Sequence, residues 1–280
     1  MSDSAPLPAE TGVGRVKLTV ADVDRVTQFY ETVVGLAVHE RTGDAAVLGD
    51  GTTALLELAG DPDRPARARD EAGLFHTAFR VPSRAALGAA LQRIDAHARL
   101  DGVADHLVSE ALYLSDPEGN GIEIYRDRPR ESWPENADGR VEMATLDLPL
   151  DEIRSLGDGS DTVPDGTDVG HVHLEVTDVE RARSFYVDTL GLALRQVARG
   201  ALFVAAGGYH HHVGLNDWRG RSAPRRGRGL AWFELVVPDE VAVNGVRRRL
   251  EAADVEVTAT DAGLVFADPD GIEIHVRADD

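Results

Sequence analysis

Val13 to Val38, VGRVKLTVADVDRVTQFYETVVGLAV, lies over Val169 to Leu194, VGHVHLEVTDVERARSFYVDTLGLAL, at a shift of 156 residues. The glycine, the alternating Val/Leu positions, the Asp, the Phe-Tyr pair and the closing Gly-Leu all coincide. The same shift carries GLFHTAFRVP, Gly73 to Pro82, onto GLAWFELVVP, Gly229 to Pro238. One shift surviving across so much chain marks a duplication, so the chain must fold as two similar halves.

Each half divides again into two modules of the order strand, helix and three strands. The first has strands at Val13–Val20, Leu36–Arg41, Ala45–Leu48 and Thr53–Leu58, with a helix from the Asp22 cap to the Gly35 stop. The second begins at Leu74–Val81, has a helix after Ser83 and ends with strands at Val103–Val108, Ala111–Leu114 and Ile122–Tyr125. Modules from Gly170 and Gly229 repeat this, with Asp178 and Asp239 starting their helices. Phe29, Tyr30, Phe185 and Tyr186 read as core anchors of these helices rather than ligand contacts. The expected organisation is a tail over residues 1–11, an N-terminal domain over 12–127 (modules 12–60 and 73–127), a linker over 128–168 and a C-terminal domain over 169–280 (modules 169–218 and 229–280). The tail is expected to be disordered, and the linker to hold one short strand and helix near Val141 to Leu156. The turns Asp116-Pro-Glu-Gly and Asp268-Pro-Asp-Gly are hairpin turns whose glycines serve turn geometry.

Composition limits the chemistry. No cysteine is present, so any metal must be held by His, Asp or Glu. A formal net charge of −20, with Lys17 the only lysine, argues against binding nucleic acid or an anionic membrane. It fits either a halophilic cytoplasm, in which case the melting temperature should rise with KCl, or an ordinary acidic cytosolic protein. No apolar run is long enough to span a bilayer and MSDSAPLPAE lacks a leader pattern, so a cytoplasmic location is expected.

The strand VGHVHLEV sets His171 and His173 on one face, because side chains two apart in a strand point the same way. Either imidazole alone reads equally as a hydrogen-bonded strand residue. Further His and carboxylates on neighbouring strands turn the reading towards a metal.

Four such modules, the opening GHVHL, helices ending FYxxxLGL and the closing hairpin DPEGNGIEIY resemble the vicinal oxygen chelate superfamily, which includes glyoxalase I and the extradiol ring-cleaving dioxygenases. DHLVSEALYLSDPEGNGIEIYRDRP and AGGYHHHVGLNDW are similar to its bacterial catechol 2,3-dioxygenase-like branch. The resemblance implies an α+β fold of four βαβββ modules, paired into two domains with open, cup-shaped mixed sheets. It also implies a divalent metal held by the first and last strands of paired modules.

In the C-terminal half those positions fall on His171, on His212 in a His210-His211-His212 run read as a strand with His210 and His212 on one face, and on Glu273 or its same-side neighbour His275. His171, His212 and Glu273 would form a 2-His-1-carboxylate face suited to Fe(II). The position from which ring-cleaving enzymes usually take their second His is Trp232. In the N-terminal half the matching positions are His76, Glu123 and Glu57, with Arg15 where a first-strand ligand would stand. Arg15 could instead neutralise Glu57 and Glu123. Imidazole supply favours the C-terminal set, and either half can hold the working site.

The activity implied is extradiol cleavage of a small aromatic diol by O₂, with Fe(II), or with Mn(II), Zn(II) or Ni(II). His173, His210 or Tyr209 would manage protons in the C-terminal cup, and His106 or Tyr113 in the N-terminal one. Tyr113 lies ten positions before Glu123, the spacing of an active-site Tyr in extradiol enzymes. A glyoxalase- or epimerase-like lyase or isomerase, or a non-catalytic binder, would use the same cup. A homodimer through open sheet edges is expected. Arg219, Arg221, Arg225, Arg226 and Arg228 crowd one loop and read either as a guide for an anionic ligand or as a solvated, ion-paired surface.

Overall fold

Strand and helix starts follow the local signals. The computed structural model describes residues 6–279. Its first module is β1 (Gly12–Val20), α1 (Val23–Phe29) running into a π-helical turn at Tyr30–Val34, β2 (Ala37–Arg41), β3 (Ala45–Gly49) and β4 (Ala54–Gly60). The second is β5 (Gly73–Arg80), α2 (Arg84–His97), β6 (Gly102–Asp105), β7 (Ser109–Ser115) and β8 (Gly121–Asp127). The connection holds α3 (Leu150–Leu156) and an isolated bridge between Glu135 and Val141. The third module is β9 (Asp168–Glu175), α4 (Val179–Arg183) with a π-helical turn at Ser184–Thr189, β10 (Ala193–Ala198), β11 (Ala201–Ala205) and β12 (Val213–Asn216). The fourth is β13 (Gly229–Val237), α5 (Glu240–Ala252), β14 (Thr258–Thr260), β15 (Gly263–Ala267) and β16 (Glu273–Ala278).

The side chains of Asp22, Ser83, Asp178 and Asp239 each accept the backbone N–H three residues on, which satisfies an otherwise orphaned donor at the helix start. Gly35 closes the first helix at φ 89°, a conformation that a Cβ would strain. No helix among the described residues is long and apolar enough to cross a membrane.

The chain divides into two units. One comprises Lys17–Arg64 and His76–Gly170, and carries most of the first two modules. Its core holds Tyr30, Phe79 and Tyr125, all fully buried. The other comprises the chain up to Val16, Pro65–Phe75 and the chain from His171, with Tyr186 and Phe233 at its core. Here Leu7 is buried and its N–H donates to the Gly191 carbonyl at 2.9 Å, so part of the tail expected to be disordered is packed. Residues 1–5 of that tail lie outside the described residues.

Within a module the last strand returns beside the first. Parallel pairs set Thr77 opposite Ile122, Val172 opposite Val213 and Trp232 opposite Glu273. This leaves each first strand at the edge of its four strands, open to further pairing. The resulting sheets run β14-β15-β16-β13-β1-β4-β3-β2 and β10-β11-β12-β9-β5-β8-β7-β6. The sequence reading grouped modules by half. One compact unit keeps most of the first two modules together, while each sheet carries strands from both halves of the chain.

The two Asp-Pro turns are held from inside. Asp268 Oδ1 accepts the N–H groups of Asp270 and Ile272, Oδ2 accepts the Tyr186 hydroxyl at 3.0 Å, and Gly271 takes φ 76°. Burial pushes the Asp268 carboxyl up to about 6, against hydrogen bonds that favour its ionised form. A carboxyl raised on folding binds its proton more tightly in the native state, so its contribution to stability falls as pH rises from about 4 to 6. Asp268→Asn keeps the acceptor and removes the titration. Unfolding free energies of protein and variant should therefore diverge by about 3 kcal/mol in favour of the native protein as pH drops through that window. Parallel curves in urea melts at pH 7 and 4 would contradict this.

Candidate metal centre

Strand pairing brings the second module's polar residues to one place. Ala78 stands opposite Glu123, and Tyr113 stands opposite Glu123 on its other side. His76, two residues before Ala78, shares that face of β5. Its Nε2 lies 3.0 Å from Glu123 Oε2, with both side chains buried. The Tyr113 ring is 5.6 Å from that of His76, and its hydroxyl bonds Glu123. Burial, and then the charge of Glu123, push the Tyr113 phenol well above its ordinary range, so it is a neutral donor.

His106 Nε2 meets the Tyr113 hydroxyl at 2.6 Å, and its Nδ1 meets the Ala144 carbonyl at 2.6 Å. A carbonyl only accepts, so Nδ1 carries a proton and Nε2 faces Tyr113. Tyr113 therefore offers one proton to two acceptors, His106 on one side and Glu123 on the other. When His106 is protonated it donates to the Tyr113 oxygen and leaves the phenol proton to Glu123. The sequence reading offered His106 and Tyr113 as alternatives; their direct contact is a finding of the structure.

Glu57, expected beside them, stands on β4 in the other sheet, and the Lys17 ammonium holds it at 2.5 Å. It is not part of the His76–Glu123 group. The local reason is that Lys17 and Glu57 face each other across β1 and β4, an arrangement that neutralises both.

In the other unit, His171 begins the inward face of β9, one residue beyond Gly170. A Cβ at Gly170 would fall 1.7 Å from the Tyr125 hydroxyl, so only glycine leaves room there for that side chain. The His171 ring is nearest His211, at 4.1 Å, and 5.9 Å from His210. The His run was expected to lie in a strand with His210 and His212 on one face. Instead β12 starts at Val213, and the run follows the Gly207-Gly208 turn, so strand alternation does not apply. His210 and His211 are joined through their Nδ1 atoms at 2.7 Å. His212 Nδ1 accepts the Ala206 N–H at 3.1 Å, and its ring stacks on Tyr209 at 4.8 Å. His211, which the sequence reading passed over, is the imidazole closest to His171, and only its place in the run could have flagged it.

Glu273 does not join His171 and His212: it belongs to the other sheet and binds His275 Nε2 at 2.7 Å, with Trp232 stacked on that ring at 4.5 Å. The set His171, His212 and Glu273 is thus split between two sheets. Arg15, expected beside Glu57 and Glu123, instead bonds Glu234 through Nη2 at 2.8 Å and through its own N–H at 2.9 Å. Burial would raise the Glu234 carboxyl, but Arg15, helped by Arg277, outweighs it and holds the group below the usual carboxylate range. Arg15→Ala leaves that carboxylate buried with its main partner gone and should cost about 3 kcal/mol of stability in a urea melt. A loss under about 1 kcal/mol, typical of exposed pairs, would contradict the assignment.

The chain belongs to the glyoxalase/bleomycin resistance protein/dioxygenase superfamily, whose family model matches residues 12–124 and 168–276. It is 40% identical over 269 residues to a Bacillus subtilis (strain 168) protein named catechol-2,3-dioxygenase, covering 93% of this chain and 94% of that one. Among solved structures, a Bacillus subtilis protein provisionally described as a dioxygenase superposes with a TM-score of 0.63 at 13% identity, covering 99% of this chain and 86% of the other. Glyoxalase I from Zea mays superposes with a TM-score of 0.58 at 15% identity, covering 96% and 92%. These two likenesses concern the fold.

Proposed function

We propose that the protein is a metal-dependent ring-cleaving dioxygenase of the extradiol type, acting on a small aromatic diol, with His76 and Glu123 among the metal's ligands. The observation that carries this reading is the buried His76–Glu123 pair backed by Tyr113 and His106. The 40% identity to a protein named catechol-2,3-dioxygenase supports it.

The residues fit the group. A buried imidazole nitrogen and carboxylate oxygen 3.0 Å apart are the donor types of the 2-His-1-carboxylate set suited to non-haem Fe(II). Mn(II) is the next candidate on donor hardness, and Zn(II) or Ni(II) would favour redox-neutral chemistry on the same ligands. A metal held there would supply chelation of the two vicinal oxygens of a diol and activation of O₂.

The chain does the rest. Burial of His76 and Glu123 keeps bulk water from their donor atoms. Glu123 accepts from Tyr113, which fixes the carboxylate's orientation as partners behind a metal ligand do. Tyr113 holds a proton at Oη, and His106 behind it can take or return that proton. In the net reaction both atoms of O₂ enter the product and the carbon–carbon bond beside the diol opens. The ring is oxidised as O₂ is reduced, so no other reductant is consumed.

Protein purified without oxygen and loaded with Fe(II) should take up one O₂ per catechol and form a yellow ring-opened product. Conversion of an α-keto thiol adduct by the Ni(II)- or Zn(II)-loaded protein under nitrogen, with no O₂ uptake from any diol, would overturn the reading in favour of an isomerase.

A further inference from the structure

His106 opens the loop between β6 and β7, where Asp105 stands opposite Glu110 and the His106 N–H donates to the Ser109 carbonyl at 2.8 Å. The next residue, Leu107, takes φ 69°. That is the left-handed region, in which a Cβ carries a cost and Gly or Asn is the ordinary occupant. A leucine stays there only where its surroundings impose the conformation.

The surroundings are explicit. Asp105 Oδ1 accepts the Leu107 N–H at 2.9 Å, while its Oδ2 takes the Arg128 guanidinium at 2.6 Å. Arg128 also reaches the buried Glu110 at 3.4 Å. On the outer edge of β6, Asp105 exchanges both backbone hydrogen bonds with Leu146 of the connection, at 3.0 and 2.9 Å, and the Ala144 N–H donates to the His106 carbonyl at 3.4 Å. This pairing accompanies the 2.6 Å contact between the Ala144 carbonyl and His106 Nδ1. All of these residues belong to the unit that contains His76–Gly170.

The tautomer of an imidazole is set by the hydrogen bond its other nitrogen makes. With its Nδ1 proton committed to Ala144, His106 turns the lone pair of Nε2 to the Tyr113 hydroxyl, 2.6 Å away. A proton on Nε2 instead would make His106 a donor to Tyr113, unable to accept from it. We infer that Asp105, Leu107 and the Ala144 carbonyl are positioning residues that hold His106 in its Nδ1–H tautomer, with Nε2 as the acceptor facing Tyr113. Asp105 and the left-handed turn at Leu107 fix the start of the loop, and the connection supplies the carbonyl. The use of this relay in ring cleavage rests on the proposed function, whereas the tautomer and what holds it rest on the loop geometry alone.

Nitrogen-15 spectra of the full chain, with no paramagnetic metal bound and above the ordinary imidazole range of pH, separate protonated from unprotonated ring nitrogens. The His106 signals are those missing from His106→Gln. The native protein should show His106 protonated at Nδ1 and bare at Nε2. Leu107→Val keeps an apolar side chain but a β-branched residue resists the left-handed turn, and Leu107→Asn does the reverse. Leu107→Val and Asp105→Ala should therefore give a mixture of tautomers, and Leu107→Asn and Asp105→Asn the native one. In turnover, Leu107→Val and Asp105→Ala should lower kcat about tenfold or more with the KM for catechol near native, and the two Asn variants should recover most of the rate. A native His106 protonated at Nε2, or a Leu107→Asn variant more damaged than Leu107→Val, as packing alone would give, overturns the inference. The expected tautomers without cleavage of any diol would leave the positioning standing and remove the dioxygenase reading.

Discussion

Replacement of His76 by alanine is expected to lower metal affinity by more than about 100-fold and to abolish diol cleavage, without unfolding the chain. Changing a group that merely supports a metal ligand already costs about 10–100-fold in affinity, and removing a donor atom costs more. The substitution also leaves Glu123 buried without its imidazole, at 3.0 Å in the native chain. A modest loss of stability should accompany the loss of metal. Glu123→Gln separates the two effects, because it keeps volume and hydrogen-bonding capacity while withdrawing the charge a divalent ion needs. Both variants should melt cooperatively and bind little Fe(II). Retention of native metal content in either would remove His76 and Glu123 from the proposed set.

Tyr113→Phe is expected to lower kcat about 10²-fold or more while metal content and the KM for catechol stay near their native values. The phenol supplies a proton donor that burial and the Glu123 charge keep protonated, and phenylalanine has none to give. His106→Ala should have a smaller effect of the same kind, since His106 acts through the Tyr113 hydroxyl, which it meets at 2.6 Å. If the two positions form one relay, the double variant should be little worse than Tyr113→Phe. Losses that multiply in the double variant, or a Tyr113→Phe defect confined to KM, would argue that the pair only shapes the pocket.

The parts of the fold that could be read from sequence are those set locally. Asp22, Ser83, Asp178 and Asp239 announce helix starts because a short polar side chain satisfies an orphan N–H wherever it precedes a helix. Tyr30 and Tyr186 were legible as core because both fall on the apolar side of a repeated helix, and both are fully buried. Gly119 and Gly271 were legible as turn residues and take φ 85° and 76°. Tyr113 was singled out by the ten-residue spacing from Glu123 that the family resemblance implies, and His106, in the loop after β6, only as a candidate on a neighbouring segment.

What stayed hidden depends on which strand edge meets which. Arg15 and Glu234 are 219 residues apart, and nothing in either segment names the other. The same ignorance led to grouping His171 with Glu273, although β9 and β16 belong to different sheets. The error over His210 and His212 is of another kind. A run of three His before a Val-Gly-Leu strand can continue that strand or precede it, and the Gly207-Gly208 pair decided for a turn. Glu57 was misassigned because position within a module was used without asking what Lys17, on the neighbouring strand, would do.

The most direct test of the proposed centre is an anomalous difference map from crystals grown anaerobically with Fe(II), recorded on both sides of the iron edge. The expected result is one peak per chain, about 2.0–2.2 Å from an imidazole nitrogen of His76 and from a carboxylate oxygen of Glu123. A peak at His210 and His211, or at Glu273 and His275, with His76 still bound to Glu123, would contradict it.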